Sequence, residues 1–108
     1  MMEAVRVYAD VHGLSPEAWE EIRATMPFDQ AVYKDRVLAV DFEGHYIDVE
    51  PFLNDVARLL DEGGWGKLDY IDQIDYALTR YVITKDGWKA KEVLVDNVVE
   101  GVHQESGV

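Results

Sequence analysis

Apolar residues in this chain recur at two periods, and the alternation between them predicts eight elements. Ile47 to Gly63 has helical period: Val49, Phe52, Leu53, Val56, Leu59 and Leu60 lie three or four residues apart, with Glu50, Asn54, Asp55, Arg58, Asp61 and Glu62 between them. Asp48 is placed as its N-cap, Ile47 and Phe52 as a hydrophobic staple, and Pro51 falls in the first turn, where a missing N–H costs nothing. Gly63 and Gly64 supply a left-handed end. Asp61 and Glu62 in the last turn oppose the helix dipole, with Lys67 as a possible offset. A second helix starts at Ser15-Pro16, capped by Ser15 and stapled by Leu14 and Trp19. Trp19, Ile22, Arg23 and Met26 share a face, and Pro27 closes it.

The remaining segments have the period of strands. Glu3 to Val11 sets Val5, Val7, Ala9 and Val11 against Arg6, Tyr8 and Asp10. Ala31 to Tyr33 and Arg36 to Phe42 follow, joined by a tight turn at Lys34-Asp35, with Leu38, Val40 and Phe42 on one side. Gly66 to Asp72 also fits a helix through Leu68, Ile71, Ile74 and Leu78, but its Tyr and Ile content favours strand. A turn near Gln73 to Asp75 leads to a strand from Tyr76 to Thr84. Lys85-Asp86-Gly87 then makes a hairpin with Trp88 to Val95. Val98 and Val99 form a short apolar patch. Residues 1–100 read as one α+β domain, and residues 101–108 as a frayed tail.

The order β-α-β-β-α-β-β-β predicts two helices on one face of a mostly antiparallel sheet. The expected topology is a ferredoxin-like β-α-β-β-α-β core extended by a C-terminal hairpin. In that expectation the first and third strands are parallel central neighbours.

Length and composition narrow the function. The 108 residues suffice for one ordinary core. With no cysteine, neither a disulfide framework nor a thiolate zinc site can form. The start, Met-Met-Glu-Ala-Val-Arg-Val-Tyr, has no signal-peptide pattern, and no apolar run reaches the length of a membrane span, so the expected location is cytoplasmic. The net charge is −12, spread along the chain: Met1 to Asn54 holds eleven acids and four bases, Asp55 to Val108 eleven and six. Such a field disfavours nucleic acid and anionic membranes and attracts basic proteins.

Three constellations are candidates for chemistry. Asp10-Val11-His12-Gly13 after an apolar strand resembles the first metal motif of the calcineurin-like metallophosphoesterases, whose Asp and His, two apart, bind one of two metals. The family's later motifs, Gly-Asp-x-x-Asp, Gly-Asn-His and Gly-His-x-His, are missing, and the chain is too short for that fold. Independently of that family, parallel first and third strands would bring Asp10 and His12 near Asp41 and His45, a set able to hold a divalent cation. The second constellation is acidic. Asp61, Glu62, Asp69, Asp72 and Asp75 surround Trp65, with Lys67 as the only base, and together form a docking face for a basic protein. The third is the remaining aromatics, Trp19, Trp88, Tyr70, Tyr76 and Tyr81, read as core packing before pocket lining.

No catalytic set and no phosphate loop stands out. Gly63-Gly64-Trp65-Gly66 follows a helix rather than opening one. The sequence therefore predicts a small acidic protein-binding or regulatory domain without a cofactor, using the physics of immunity proteins and nuclease inhibitors. The alternatives are a ligand- or metal-binding domain or enzyme at the Asp10, His12, Asp41 and His45 edge, and a homodimer whose sheets pair or pack.

Overall fold

Val5, Val7, Ala9 and Val11 alternate with polar neighbours, and this alternation places β1 (Val5–His12) at the centre of the molecule with those four side chains buried. The computed structural model describes residues 4–94, and the elements that follow β1 are α1 (Pro16–Arg23), β2 (Ala31–Lys34), β3 (Val37–Gly44), α2 (Glu50–Leu59), β4 (Trp65–Asp72), β5 (Ala77–Thr84) and β6 (Gly87–Leu94). Among the described residues the architecture is α+β, with two helices and a six-stranded open sheet in the order β2-β3-β1-β4-β5-β6. Every neighbouring pair of strands is antiparallel. The apolar patch at Val98 and Val99 and the tail from Gly101 lie outside the described residues.

The first and third strands are neighbours, as expected, but they are antiparallel rather than parallel, with Val5 opposite Gly44 and His12 opposite Val37. The turn between β2 and β3 decides this. Asp35 and Arg36 both adopt positive φ, 52° and 66°, the geometry of a two-residue hairpin turn that reverses the chain. The turn sits one residue later than the expected Lys34-Asp35.

Both helices lie on one face. The sheet residues that join the helices in the core, Val7, Ala9, Val11, Leu38, Val40, Leu68 and Ile83, all point to the same side by register. Ala18 and Ile22 of α1 and Phe52, Leu53, Val56 and Ala57 of α2 close over them. Phe28, in the loop before β2, fills the gap between Phe42 and Phe52, with ring centroids 5.8 and 5.1 Å away. Trp19 stacks on Tyr33, whose hydroxyl donates to the Leu14 carbonyl at 2.7 Å, and this holds α1 over the β2 side.

The helix starts follow their caps. Ser15 Oγ accepts from Ala18 N at 3.1 Å. For α2, Asp48 Oδ1 accepts from Glu50 N at 3.0 Å, but the N-cap position itself is Val49, one residue later than expected. This helix ends at Leu59, with Leu60 extended, so Asp61 and Glu62 fall in the following turn. The two acids therefore do not oppose the helix dipole. Lys85, rather than Lys67, serves the helix end, donating to the Leu60 carbonyl at 2.7 Å.

Candidate functional site

Among the described residues the second side of the sheet carries no helix, and every strand contributes to it. Register fixes its rows. One row runs Val32, Ala39, Asp10, Lys67, Val82, Lys89; the next runs Asp41, Tyr8, Asp69, Arg80, Lys91. On either side lie His12 with Trp65, and Glu43 with Arg6 and Ile71. Large apolar residues are open to solvent here: Val32 at 68% exposure, Val82 at 50%, Trp65 at 47% and Tyr8 at 40%. Leu78, opposite Ile71, is buried on this same side.

Five charged groups of this face are braced against one another, Arg80 with Asp69 and Arg6 with Asp41 and Glu43. Arg80 grips Asp69 with two parallel bonds, 2.8 and 3.1 Å, across the β4–β5 pair, and the Asp69 side chain keeps only 15% of its exposure. Arg6 stands between Asp41 and Glu43, 3.8 Å from each, with its guanidinium 5.2 Å from the Tyr8 ring centroid. His12 and Trp65 stack with centroids 4.3 Å apart and planes at 14°. Trp65, which the sequence leaves in a loop, is the first residue of β4 and is fixed by that stack.

Beside the His12–Trp65 pair, three turns meet. Gly13 N and Leu14 N donate to the Arg36 carbonyl at 3.0 and 3.1 Å, and Asp61 N donates to the Gly13 carbonyl at 2.8 Å. The Arg36 guanidinium pairs with Asp61, which raises the arginine's pKa above its ordinary value, by hydrogen bond first and charge second. Gly13 has φ +89°, and a Cβ there would meet Gly64 Cα at 2.8 Å.

The four residues expected to share a metal are not brought together. Antiparallel pairing sets His12 and His45 at opposite ends of β1, roughly 25 Å apart at ~3.3 Å per residue. Asp10 lies opposite Ala39, while Asp41 lies opposite Tyr8 and beside Arg6. Among the described residues no group of three His, Asp or Glu side chains could hold a metal ion. The proximity assumed for Asp10, His12, Asp41 and His45 depended on a parallel pair that the β2–β3 hairpin does not allow.

The acidic set is divided as well. Asp61, Glu62 and Trp65 lie at one end of β4. Asp72 and Asp75 lie at the other, roughly 23 Å away at ~3.3 Å per residue. Asp69 is committed to Arg80. Asp72 accepts from Asp75 N and Ile74 N, both at 2.9 Å, and from the Tyr46 hydroxyl at 3.1 Å. The Asp75 and Ile74 amides hold its carboxyl below the ordinary range against some desolvation, and Tyr46 adds to this.

The sequence marked Asp10, His12, Asp41, Trp65 and Asp69, with Lys67 beside them, but passed over Tyr8, Val32, Val82, Lys89 and Lys91. Each strand's alternation singled out its outward residues. What was missing was the register that lays six such rows side by side.

Fold and site together define an open-faced α+β protein with a solvent-exposed, partly apolar sheet surface and no helix long and apolar enough to cross a membrane among the described residues. Comparison with protein families, with curated proteins and with solved structures finds no match.

Proposed function

We propose that this chain is a non-enzymatic protein-binding domain that docks through the uncovered face of its sheet, on a ferredoxin-like β-α-β-β-α-β core extended by the β5–β6 hairpin. The placement of β3 between β1 and β2, with β4 on the other side of β1, supports that core. The observation that carries the function is the apolar content of the uncovered face. A face that only meets water is served by polar residues. Here Val32, Val82, Trp65 and Tyr8 are 40–68% exposed on it, within a frame of paired charges. Large exposed apolar groups rimmed by polar ones mark interaction surfaces.

Charge separates this face from the helix side. Residues 13–30 and 45–64, which hold both helices, contain nine acids and two bases; the uncovered face carries the four acids Asp10, Asp41, Glu43 and Asp69 and the six bases Arg6, Lys34, Lys67, Arg80, Lys89 and Lys91. The chain's negative field therefore lies mainly on the helix side, which would attract a basic protein, while the sheet face mixes both signs with a small excess of bases.

Affinity capture with the immobilised full chain tests the proposal. The double substitution Tyr8→Glu and Val82→Glu should abolish capture, and Glu20→Lys with Glu21→Lys on the helix side should preserve it. Identical captured proteins for the parent and the sheet-face variant would overturn it. Loss with the helix-side variant alone would transfer the function to the acidic helix surface.

A further inference from the structure

The charges of the uncovered face are sorted by strand. On β2, β3 and β1 it carries the acids Asp10, Asp41 and Glu43 and the bases Arg6 and Lys34. On β4, β5 and β6 it carries the single acid Asp69 and the bases Lys67, Arg80, Lys89 and Lys91. A chain of net charge −12 thus places four of its ten bases on one half of one sheet face. The boundary between the halves falls between β1 and β4, at the middle of the six strands.

We infer that the partner of this face is a second copy of the same chain. The two sheets stack about a two-fold axis that runs parallel to the strands between β1 and β4. This rests on the docking surface proposed above and names its occupant. The axis sets β3 of one copy against β5 of the other, with β6 adjacent, so Asp41 meets the row of Arg80 and Lys91. It sets β1 against β4, so Asp10 meets Lys67 and the His12–Trp65 stack meets its own equivalent. Ala39 meets Val82. A two-fold perpendicular to the strands would instead lay the β4, β5 and β6 half, with four bases and one acid, over the same half of the other copy, and the excess of like charge selects against it. A saddle-shaped twisted sheet coincides with itself under the parallel axis, so the two faces can approach to the ~10 Å of stacked sheets. Five strands of eight residues and one of four, ~4.8 Å apart at ~3.3 Å per residue, give a footprint of roughly 700 Å² per copy, close to that of a stable interface.

The test is the mass of the full chain in solution, by sedimentation equilibrium, with two charge-reversed variants. One carries Asp10→Lys on β1; the other carries Lys67→Glu on β4. Both side chains are at least partly exposed in the folded chain. The parent should be dimeric. Each variant alone opposes like charges at both symmetry-related contacts, and its dimer dissociation constant should rise at least about tenfold. An equimolar mixture should recover a dimer of parent strength, because every contact in the heterodimer is again between opposite charges. A monomeric parent, a dimer indifferent to both reversals, or a mixture that stays monomeric would each overturn the inference. A monomeric parent that still loses capture with Tyr8→Glu and Val82→Glu would leave the docking face standing and remove only the second copy.

Discussion

The two faces of the sheet are made by the same strands and obey different rules. On β1 the covered side is Val5, Val7, Ala9 and Val11, all buried, while the other side is Arg6, Tyr8, Asp10 and His12, all at least partly exposed. The covered side is dictated by the fold. Apolar area must leave water there, and each ~25 cal/mol per Å² of it favours folding. Nothing in folding dictates that the far side should hold Tyr8, Trp65 and Val82 among paired charges. What a fold does not require is where function can be read, so the uncovered side is the informative one.

The sharpest break between the faces should appear in matched truncations on adjacent strands. Leu68→Ala on the covered side of β4 removes a fully buried side chain and should cost about 2–5 kcal/mol by denaturant unfolding. Val82→Ala, half exposed on β5, should change the same measurement by less than about 0.5 kcal/mol in dilute solution. Its effect should appear in association instead. Comparable stability losses would show that the second face is packed in the isolated chain, and would remove the basis for a docking surface.

The corner that joins the faces should respond next most strongly. Gly13→Ala must put a Cβ into a left-handed residue and against Gly64 Cα, where backbone cannot yield as a side chain does. We expect a loss of roughly 2–4 kcal/mol. Gly63→Ala has positive φ but open space around it, and should cost only about 1 kcal/mol. The difference between the two melts measures the close approach of the chain segments beneath the His12–Trp65 stack. Equal losses would attribute both to backbone conformation alone.

How much of this was legible follows the same division. The covered face could be read because burial imposes a period: Val5 to Val11, Leu38 and Val40, and Phe52 to Val56 announced their sides without any knowledge of their neighbours. Ser15 and Asp48 also declared their helices, since capping is a local property. Strand direction was misread rather than hidden. The tight turn expected at Lys34-Asp35 is present one residue later, at Asp35 and Arg36, and a hairpin there sets β3 antiparallel to both β2 and β1; the expectation of parallel first and third strands left that reversal out. That single reversal separated His12 from His45 and dissolved the expected metal set. The acidic set failed for a related reason. Spacing along a chain says nothing of extension, and a strand carries Trp65 and Asp72 far apart where a helix would have held them close. Arg80, which takes Asp69 out of any docking role, lies eleven residues away and is brought to it only by the β4–β5 register.

The smallest expected effect concerns Asp72, at the end of β4 away from Trp65. Its carboxylate closes the β4–β5 turn by accepting from Asp75 N and Ile74 N, and holds Tyr46 as well. Those amides lower its folded pKa, so its contribution is fully present above the unfolded value, about 3.9, and is lost as pH falls through the folded value. Asp72→Asn keeps one acceptor and removes the charge. At neutral pH it should cost about 1 kcal/mol, kept small because the group is largely hydrated. In acid, below the ordinary carboxylate range, the parent and the variant should converge. A gap that stays constant from neutral to acid pH would mean the turn is held by shape rather than by charge, and would place this rim under the same packing rule as the covered face.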